Sequence, residues 1–318
     1  MMRTRVRAWQ WHLPVVSMLL VMGSASAQDH VSAQGLLEGS GFPVDYDAVE
    51  FRLTPVAGRV HMLSGAGGNI GVFVGDDGVF LVDGQFAPLT ERIVAEIASV
   101  SDDPVRFLIN THFHGDHTGG NENFSRAGAL IIAHDNTRRT LAQPHYIEMI
   151  QTRFRAFGPL ALPAVTFKTS MSLNLGGERV DVIHAPPSHT DGDSVVFFRG
   201  SNVIHMGDIY RSRGQPIFDR NNGGSYEGLI AASDFVLNLM GEDTLIVPGH
   251  GQLSTRADLE EVRSIMATVR DRIQAGIDAG NSVEEIVASD PSRGFDWRDG
   301  RLTVAETVRW IYTELAGR

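Results

Sequence analysis

Four short segments of this chain concentrate imidazole and carboxylate groups, and each directly follows a run that reads as a β-strand. The densest is Thr111-His112-Phe113-His114-Gly115-Asp116-His117, after the apolar run at 105–109. Ser188-His189-Thr190-Asp191-Gly192-Asp193, Gly207-Asp208 and Pro248-Gly249-His250 follow runs at 180–183, 203–206 and 245–247. Loops at the ends of rigid strands are where chemistry usually resides. Cysteine is absent. Any metal held here must therefore take nitrogen and oxygen donors, a set that suits Zn and also accepts Fe or Mn.

The rest of the chain supports a sheet-based fold. Strand-like runs at 60–63, 70–74 and 79–82 are separated by Gly65-Ala66-Gly67-Gly68-Asn69 and Gly75-Asp76-Asp77-Gly78, both turn signals. A helix is expected from about Thr90, with Ile93, Val94, Ile97 and Val100 on one face. A further strand is expected at 195–198, and a helix at about 226–240. Hairpins followed by alternating helices and strands give sheets covered by helices. Beyond 255 the chain reads as helices, opened by three capping-box starts at Thr255, Ser282 and Thr303. Apolar stripes along the first and last of them are expected to pack on the domain or on a second copy, which makes a homodimer through these helices the oligomer to expect.

Arg3, Arg5 and Arg7, an apolar stretch at 13–22 and Ala25-Ser26-Ala27 describe a secretory signal peptide over 1–27. The apolar stretch is too short to cross ~30 Å of hydrocarbon. Export to the periplasm or medium is the expectation, with no membrane attachment after cleavage. Residues 28–50 read as an irregular arm, 51–256 as the main domain and 257–318 as a helical extension on it. Cleavage would remove three positive charges from a formal −11, and Lys168 is the only lysine. An acidic chain without basic runs is a poor ligand for nucleic acid.

Taken together, the His112 to His117 run, His189, Asp208 and His250 resemble the metallo-β-lactamase superfamily, whose signature is HxHxDH. The resemblance implies a four-layer αβ/βα sandwich with metals at one edge. It implies that His112, His114 and His189 hold one divalent metal and Asp116, His117 and His250 a second, with Asp208 bridging. Gly115 is expected to permit the bend that lets His112 and His114 reach one ion. A hydroxide between the metals, seated beside Asp116, would then attack a carbonyl carbon, because metal binding lowers the pKa of water to roughly 7. Asp83 and Thr111 are expected to brace the ligands from behind. His61, His134, His145, His184 and His205 read as packed histidines.

The substrate is less legible. Asp208 stands where one lactamase branch carries Cys, and the ligand set is similar to that of glyoxalase II and the homoserine-lactone hydrolases. Export and Arg211, placed where that branch grips a substrate carboxylate with Lys, favour a β-lactam or related cyclic amide. A lactone or thioester is the alternative. Asn222 is a candidate oxyanion donor, and the turn at 65–69 a candidate mobile flap. An oxygen-handling iron protein is a different class on the same scaffold; iron content and oxygen uptake would reveal it.

Overall fold

The computed structural model describes residues 44–317. The expected signal peptide and residues 28–43 of the arm lie outside the described residues. Four strands open the main domain: β1 (Arg52–Ala57), β2 (Val60–Ser64), β3 (Ile70–Gly75) and β4 (Gly78–Val82). Helix α1 (Thr90–Ile97) leads to β5 (Val105–Ile109), then α2 (Gly115–Thr118), α3 (Asn121–Arg126) and β6 (Leu130–His134). After α4 (Asp135–Leu141) come the short strands β7 (His145–Ile147), β8 (Thr152–Phe154) and β9 (Val165–Phe167). The second half begins with β10 (Ser170–Leu175), β11 (Glu178–His184), β12 (Ser194–Phe198) and β13 (Val203–His205). It continues with α5 (Tyr226–Leu239) and β14 (Leu245–Val247), and ends with α6 (Arg256–Asp278), α7 (Val283–Ala288) and α8 (Val304–Ala316).

Two sheets result. One has the order β1-β2-β3-β4-β5-β6-β9, antiparallel as far as β4 and parallel from β4 to β9. The other has the order β10-β11-β12-β13-β14, with only β13 and β14 parallel. Central strands such as β4, Gly-Val-Phe-Leu-Val, are buried on both faces and so read as unbroken apolar runs. Phe73, Phe80, Val82 and Ile109 of one sheet meet Val180, Val196, Phe198 and Val247 of the other in the central core. Ile93 and Ile97 of α1 and Phe124 of α3 cover the outside of the first sheet. Ala232 and Val236 of α5 and Leu259 of α6 cover the outside of the second. The four-layer αβ/βα sandwich is thus the fold.

Two details differ from the sequence reading. Val94 is exposed, and Val100, also exposed, lies past the end of α1, so α1 buries a narrower stripe than expected. The described part of the arm, though irregular, is not loose: Tyr46 meets Phe86 edge-on and Arg92 donates to the Tyr46 carbonyl at 2.5 Å. All three capping boxes form. The apolar stripes of α6 and α8 are buried within the chain, where Met266, Val269, Ile273, Val308 and Ile311 share one cluster with Phe218, Tyr226 and Leu229.

Candidate metal centre

The seven predicted side chains come from both sheets. Strand β5 ends at Ile109, and its direction is kept for one more residue by the Asn110 N–H donating to the Ile132 carbonyl at 2.9 Å. His112 turns inward, and Phe113 turns away into an apolar cluster with Leu141, Ile147 and Leu302. His114 is extended at the start of α2, which carries Asp116 and His117. Helix initiation makes the bend. Gly115 has no positive φ, and a Cβ there would meet nothing within 4 Å, so its glycine freedom is not needed for it. The second sheet supplies His189 after β11, Asp208 after β13 and His250 after β14.

Donor atoms converge in three overlapping sets, each within 4.8 Å: His112, His114 and His189; His112, His117 and Asp208; Asp116, His117 and His250. His114 Nδ1 lies 2.9 Å from His189 Nε2. His250 Nε2 lies 3.2 Å from Asp116 Oδ2 and 3.3 Å from Asp208 Oδ2. His117 Nε2 is 3.2 Å from Asp208 Oδ1. None of the five histidines expected to be packed belongs to these sets among the described residues. His205, for instance, uses Nε2 on the Asn69 carbonyl at 3.0 Å and accepts the Gly207 N–H at 3.2 Å.

His112, His114, His117 and His189 each have the other ring nitrogen engaged, which aims the ring. Asp83 faces His117 Nδ1 at 2.8 Å and accepts from both the Thr111 N–H and hydroxyl at 2.8 Å. The Thr111 hydroxyl sits 3.0 Å from His112 Nδ1. His189 Nδ1 meets the Ile217 carbonyl at 2.8 Å. Carbonyl and carboxylate partners of this kind fix the orientation of a ligating imidazole. Asp83 and Thr111, the expected braces, thus stand behind His117 and His112.

Two braces were missed in the sequence. Asp219, fully buried, holds His114 Nε2 at 3.1 Å. Asp193 accepts the Ser188 hydroxyl, the His189 and Thr190 N–H groups and the Thr190 hydroxyl at 2.6–2.8 Å, and so folds the loop that carries His189. The Ser-His-Thr-Asp-Gly-Asp run could have signalled Asp193, since an aspartate a few residues on is placed to accept local N–H groups. Nothing near Asp219 in the sequence marks it.

Charge divides the cluster. Burial pushes His112 well below the usual histidine value, and the neighbouring imidazoles His117, His189 and His114 add to that. His189 is lowered too, chiefly by burial. His117 goes the other way: burial opposes its charge, but Asp208, Asp83 and Asp116 outweigh it and raise it well above the usual range. Burial opposes ionisation of Asp208 and Asp116 as well, yet His250 and His117 hold both far below the ordinary carboxylate value.

These residues fit a divalent metal. His112 Nε2 is buried without a hydrogen bond, and His117 Nε2 and Asp208 Oδ1, though 3.2 Å apart, make no well-formed one, a costly state that a cation would relieve. The backbone is shaped to match. A Cβ at Gly68 would lie 2.2 Å from the His117 ring, and one at Gly249 2.0 Å from Asp208 Oδ1, so only glycine lets these two turns approach.

The substrate-facing expectations need two corrections. Asn222 is not an oxyanion donor: its Nδ2 donates to the Tyr146 carbonyl at 2.9 Å and to Asp219 Oδ2 at 2.7 Å, which braces Asp219 behind His114. The turn at 65–69 is not a free flap. Gly68 N–H donates to the Asp116 carbonyl at 3.1 Å, and Asn69 is buried and tied through its side chain to the Pro248 and Gly251 carbonyls. Arg211 does reach the centre, with one guanidinium nitrogen 3.7 Å from Asp208 Oδ2. Its side chain is 27% exposed and that of His250 21%, against 0% for His117, so the centre opens on the Arg211–His250 side. The segment at 146–167 packs against the body of the domain: Ile147, Met149 and Phe154 join the cluster around Phe113.

The sequence profile of the metallo-beta-lactamase superfamily matches residues 63–250, more than half of the chain. The chain belongs to that superfamily. Its members are metallo-hydrolases, and the histidine and aspartate cluster described above suggests that this chain too binds divalent metal. The 2,4-dinitroanisole O-demethylase subunit alpha of Nocardioides sp. (strain JS1661) is 26% identical over 276 residues, covering 85% of this chain and 79% of that protein. The linear primary-alkylsulfatase of Pseudomonas sp. (strain ATCC 19151) is 24% identical over 76% of this chain and 54% of the alkylsulfatase. Among solved structures, the sec-alkylsulfatase Pisa1 from Pseudomonas sp. superposes with a TM-score of 0.65 at 18% identity, over 84% of this chain and 50% of that one. The metallo-beta-lactamase from Pontibacter korlensis gives 0.57 at 18% identity, over 69% of this chain and 99% of that one. This chain thus spans about half the length of the alkylsulfatases it matches.

Proposed function

We propose that this superfamily hydrolase cleaves a small substrate at a bond to oxygen, an ester or lactone, with water as the second reactant and an acid and an alcohol as products. The observation that carries a hydrolytic reading is the convergence of seven donors from two sheets, with unbonded nitrogens and a carboxylate oxygen aimed inward. Divalent metal bound there would supply Lewis acidity and make water a usable nucleophile near neutral pH. His112, His114 and His189 would hold it on one side, and Asp116, His117 and His250 on the other, with Asp208 between. Asp116, held far below the ordinary carboxylate range, suits a ligand and is a weak proton acceptor. Asp83 and Asp219 keep the His117 and His114 rings in register with the centre.

The choice of oxygen as leaving atom rests on the relatives that reach beyond the core domain. The O-demethylase and the alkylsulfatases align with most of this chain, and their names describe removal of a methyl group from oxygen and cleavage of an alkyl sulfate. A bridging Asp208, in place of a thiolate, is in keeping with that reading. Cyclic amides are the second reading, favoured by Arg211 beside the centre and by the fold shared with lactamases. The test is elemental analysis of purified protein with assays on an aryl ester, a lactone, an aryl sulfate and nitrocefin. Turnover of an oxygen ester, lost with His114→Ala, supports the proposal. Nitrocefin turnover well above all oxygen esters would move the assignment to cyclic amides.

A further inference from the structure

His134 and His184 end strands of different sheets, β6 of the first and β11 of the second. Neither belongs to a metal-ligating set among the described residues. Their rings lie face to face, with centroids 3.7 Å apart and planes within 1° of parallel. Hydrogen bonds fix the state of His134. Its Nδ1 accepts the Asn136 N–H at 3.2 Å, which caps the start of α4, and its Nε2 donates to the Lys168 carbonyl at 2.9 Å. One nitrogen accepts and the other donates, so the ring is neutral. Burial, with the neighbouring His184 ring, also pushes His134 below the usual histidine value. His184 Nε2 donates to the Asp191 carbonyl at 3.0 Å.

Asp191 lies two residues past His189, and α4 holds the same turn from the side of the first sheet. Asn136 Nδ2 donates to that same Asp191 carbonyl at 2.8 Å. The Thr137 hydroxyl donates to the Gly192 carbonyl at 3.2 Å, and Arg139 pairs with the Asp191 carboxylate at 2.7 Å. The approach is close, since a Cβ at Gly192 would lie 2.5 Å from the Thr137 hydroxyl oxygen. Donors from both sheets thus converge on one carbonyl, and the stacked rings set the distance between the strand ends that carry them. His189 is the one member of its metal set that comes from the second sheet. The set closes only where its loop stands at the right distance from the first sheet. We propose that His134 and His184 are positioning residues: their stack, acting through the Asp191 carbonyl, holds the His189 loop against the first sheet and completes the His112–His114–His189 set. This rests on the metal-dependent reading above and deepens it.

The test measures Zn2+ affinity by chelator competition in two backgrounds that each leave one set whole. His250→Ala leaves the His112–His114–His189 set, and His114→Ala leaves the Asp116–His117–His250 set. In each, His184→Phe keeps an aromatic face against His134 and removes the N–H to Asp191, while His184→Gln restores an amide N–H. His184→Phe should weaken Zn2+ about tenfold in the first background, with part of the loss recovered in His184→Gln. In the second background the change should stay under about threefold, the scale of a substitution away from the site. A loss under about threefold in the first background, or an equal loss in both, overturns the proposal, because a side chain that only adds stability weakens both sets alike. Hydrogen exchange on the metal-free full chain reads the same loop without metal. The His189 and Thr190 amides should exchange about tenfold faster in His184→Phe than in wild type, with Ile246 and Val247 within about threefold. His134→Asn, which keeps a cap on α4 and loses the stack, should give the same pattern; wild-type exchange in it would strike His134 from the proposal. If neither background binds Zn2+, the metal reading fails and exchange decides. Faster His189 and Thr190 amides then uphold the clasp, and unchanged ones remove it.

Discussion

Asp83 accepts two hydrogen bonds from Thr111 and faces His117 Nδ1, so one carboxylate sets the position of two neighbouring parts of the metal loop. It does so with a positive φ of 67°, an arrangement that Asp tolerates better than most residues. Asp83→Ala should weaken metal binding about 10–100-fold, read by chelator competition on folded protein. Unchanged affinity would reduce Asp83 to a turn residue. The opposed pKa shifts give a second prediction. Metal-free protein keeps a proton on His117 at neutral pH, because its value is raised, and a cation must displace that proton to bind. Affinity at the Asp116–His117–His250 set therefore falls as pH drops through the raised His117 value and continues to fall below it. His112 and His189 are lowered and already unprotonated at neutral pH, so their set holds metal to lower pH. Acidification from about pH 8 to about pH 5.5 should strip metal from the His117 side first. Metal content followed in wild type and His250→Ala checks this, and simultaneous loss from both sets would refute it. The ligands themselves were legible because each sits in a short run with its own residue types. Asp219 was not, since only tertiary structure brings it to His114, 105 positions away.

Among the elements, those with a local signal were readable and those defined by their neighbours were not. The three helices after 255 begin at residues whose side chains accept the N3 N–H, a pattern written in four consecutive positions. Strand β4 announces itself by five buried positions in a row. By contrast β1 carries Pro55 and a register shift, which only an edge strand accommodates, and it lacks the burial that makes an apolar run. Strand β10 alternates Ser-Met-Ser-Leu-Asn-Leu with every odd position exposed, again at an edge. Helix α8 links this scale to the site, because its cap Thr303 directly follows Leu302, which shares a cluster with Phe113 of the metal loop. Thr303→Ala should cost about 1 kcal/mol in denaturant unfolding. Glu314 of the same helix accepts the Tyr226 N–H at 2.8 Å and the Glu227 N–H at 3.2 Å, so α8 also closes the start of α5. A carboxylate on those N–H groups meets the positive end of the helix dipole.

At the scale of the whole molecule the centre is a cross-link between the two sheets. His112, His114, Asp116 and His117 follow β5 of one sheet, and His189, Asp208 and His250 follow β11, β13 and β14 of the other. Without metal, the donors that meet at this edge include ionisable groups whose burial opposes their charge. A ligand that binds only the folded state adds RT ln(1 + [L]/Kd), about 4 kcal/mol at a thousandfold excess over Kd. For a domain of this size that corresponds to a rise in Tm on the order of 10 °C. Chelation should therefore lower Tm by about that amount, and readdition of metal should restore it. His112→Ala removes a donor shared by two of the three sets, so its Tm should respond far less to chelation. Its metal-free Tm should be at least that of metal-free wild type, because the change deletes a buried imidazole that burial and three neighbouring rings keep from charging. Differential scanning calorimetry of both proteins, with and without metal, reads these quantities directly. An equal response to chelation in the two proteins would mean that the cation does not bridge the sheets through His112.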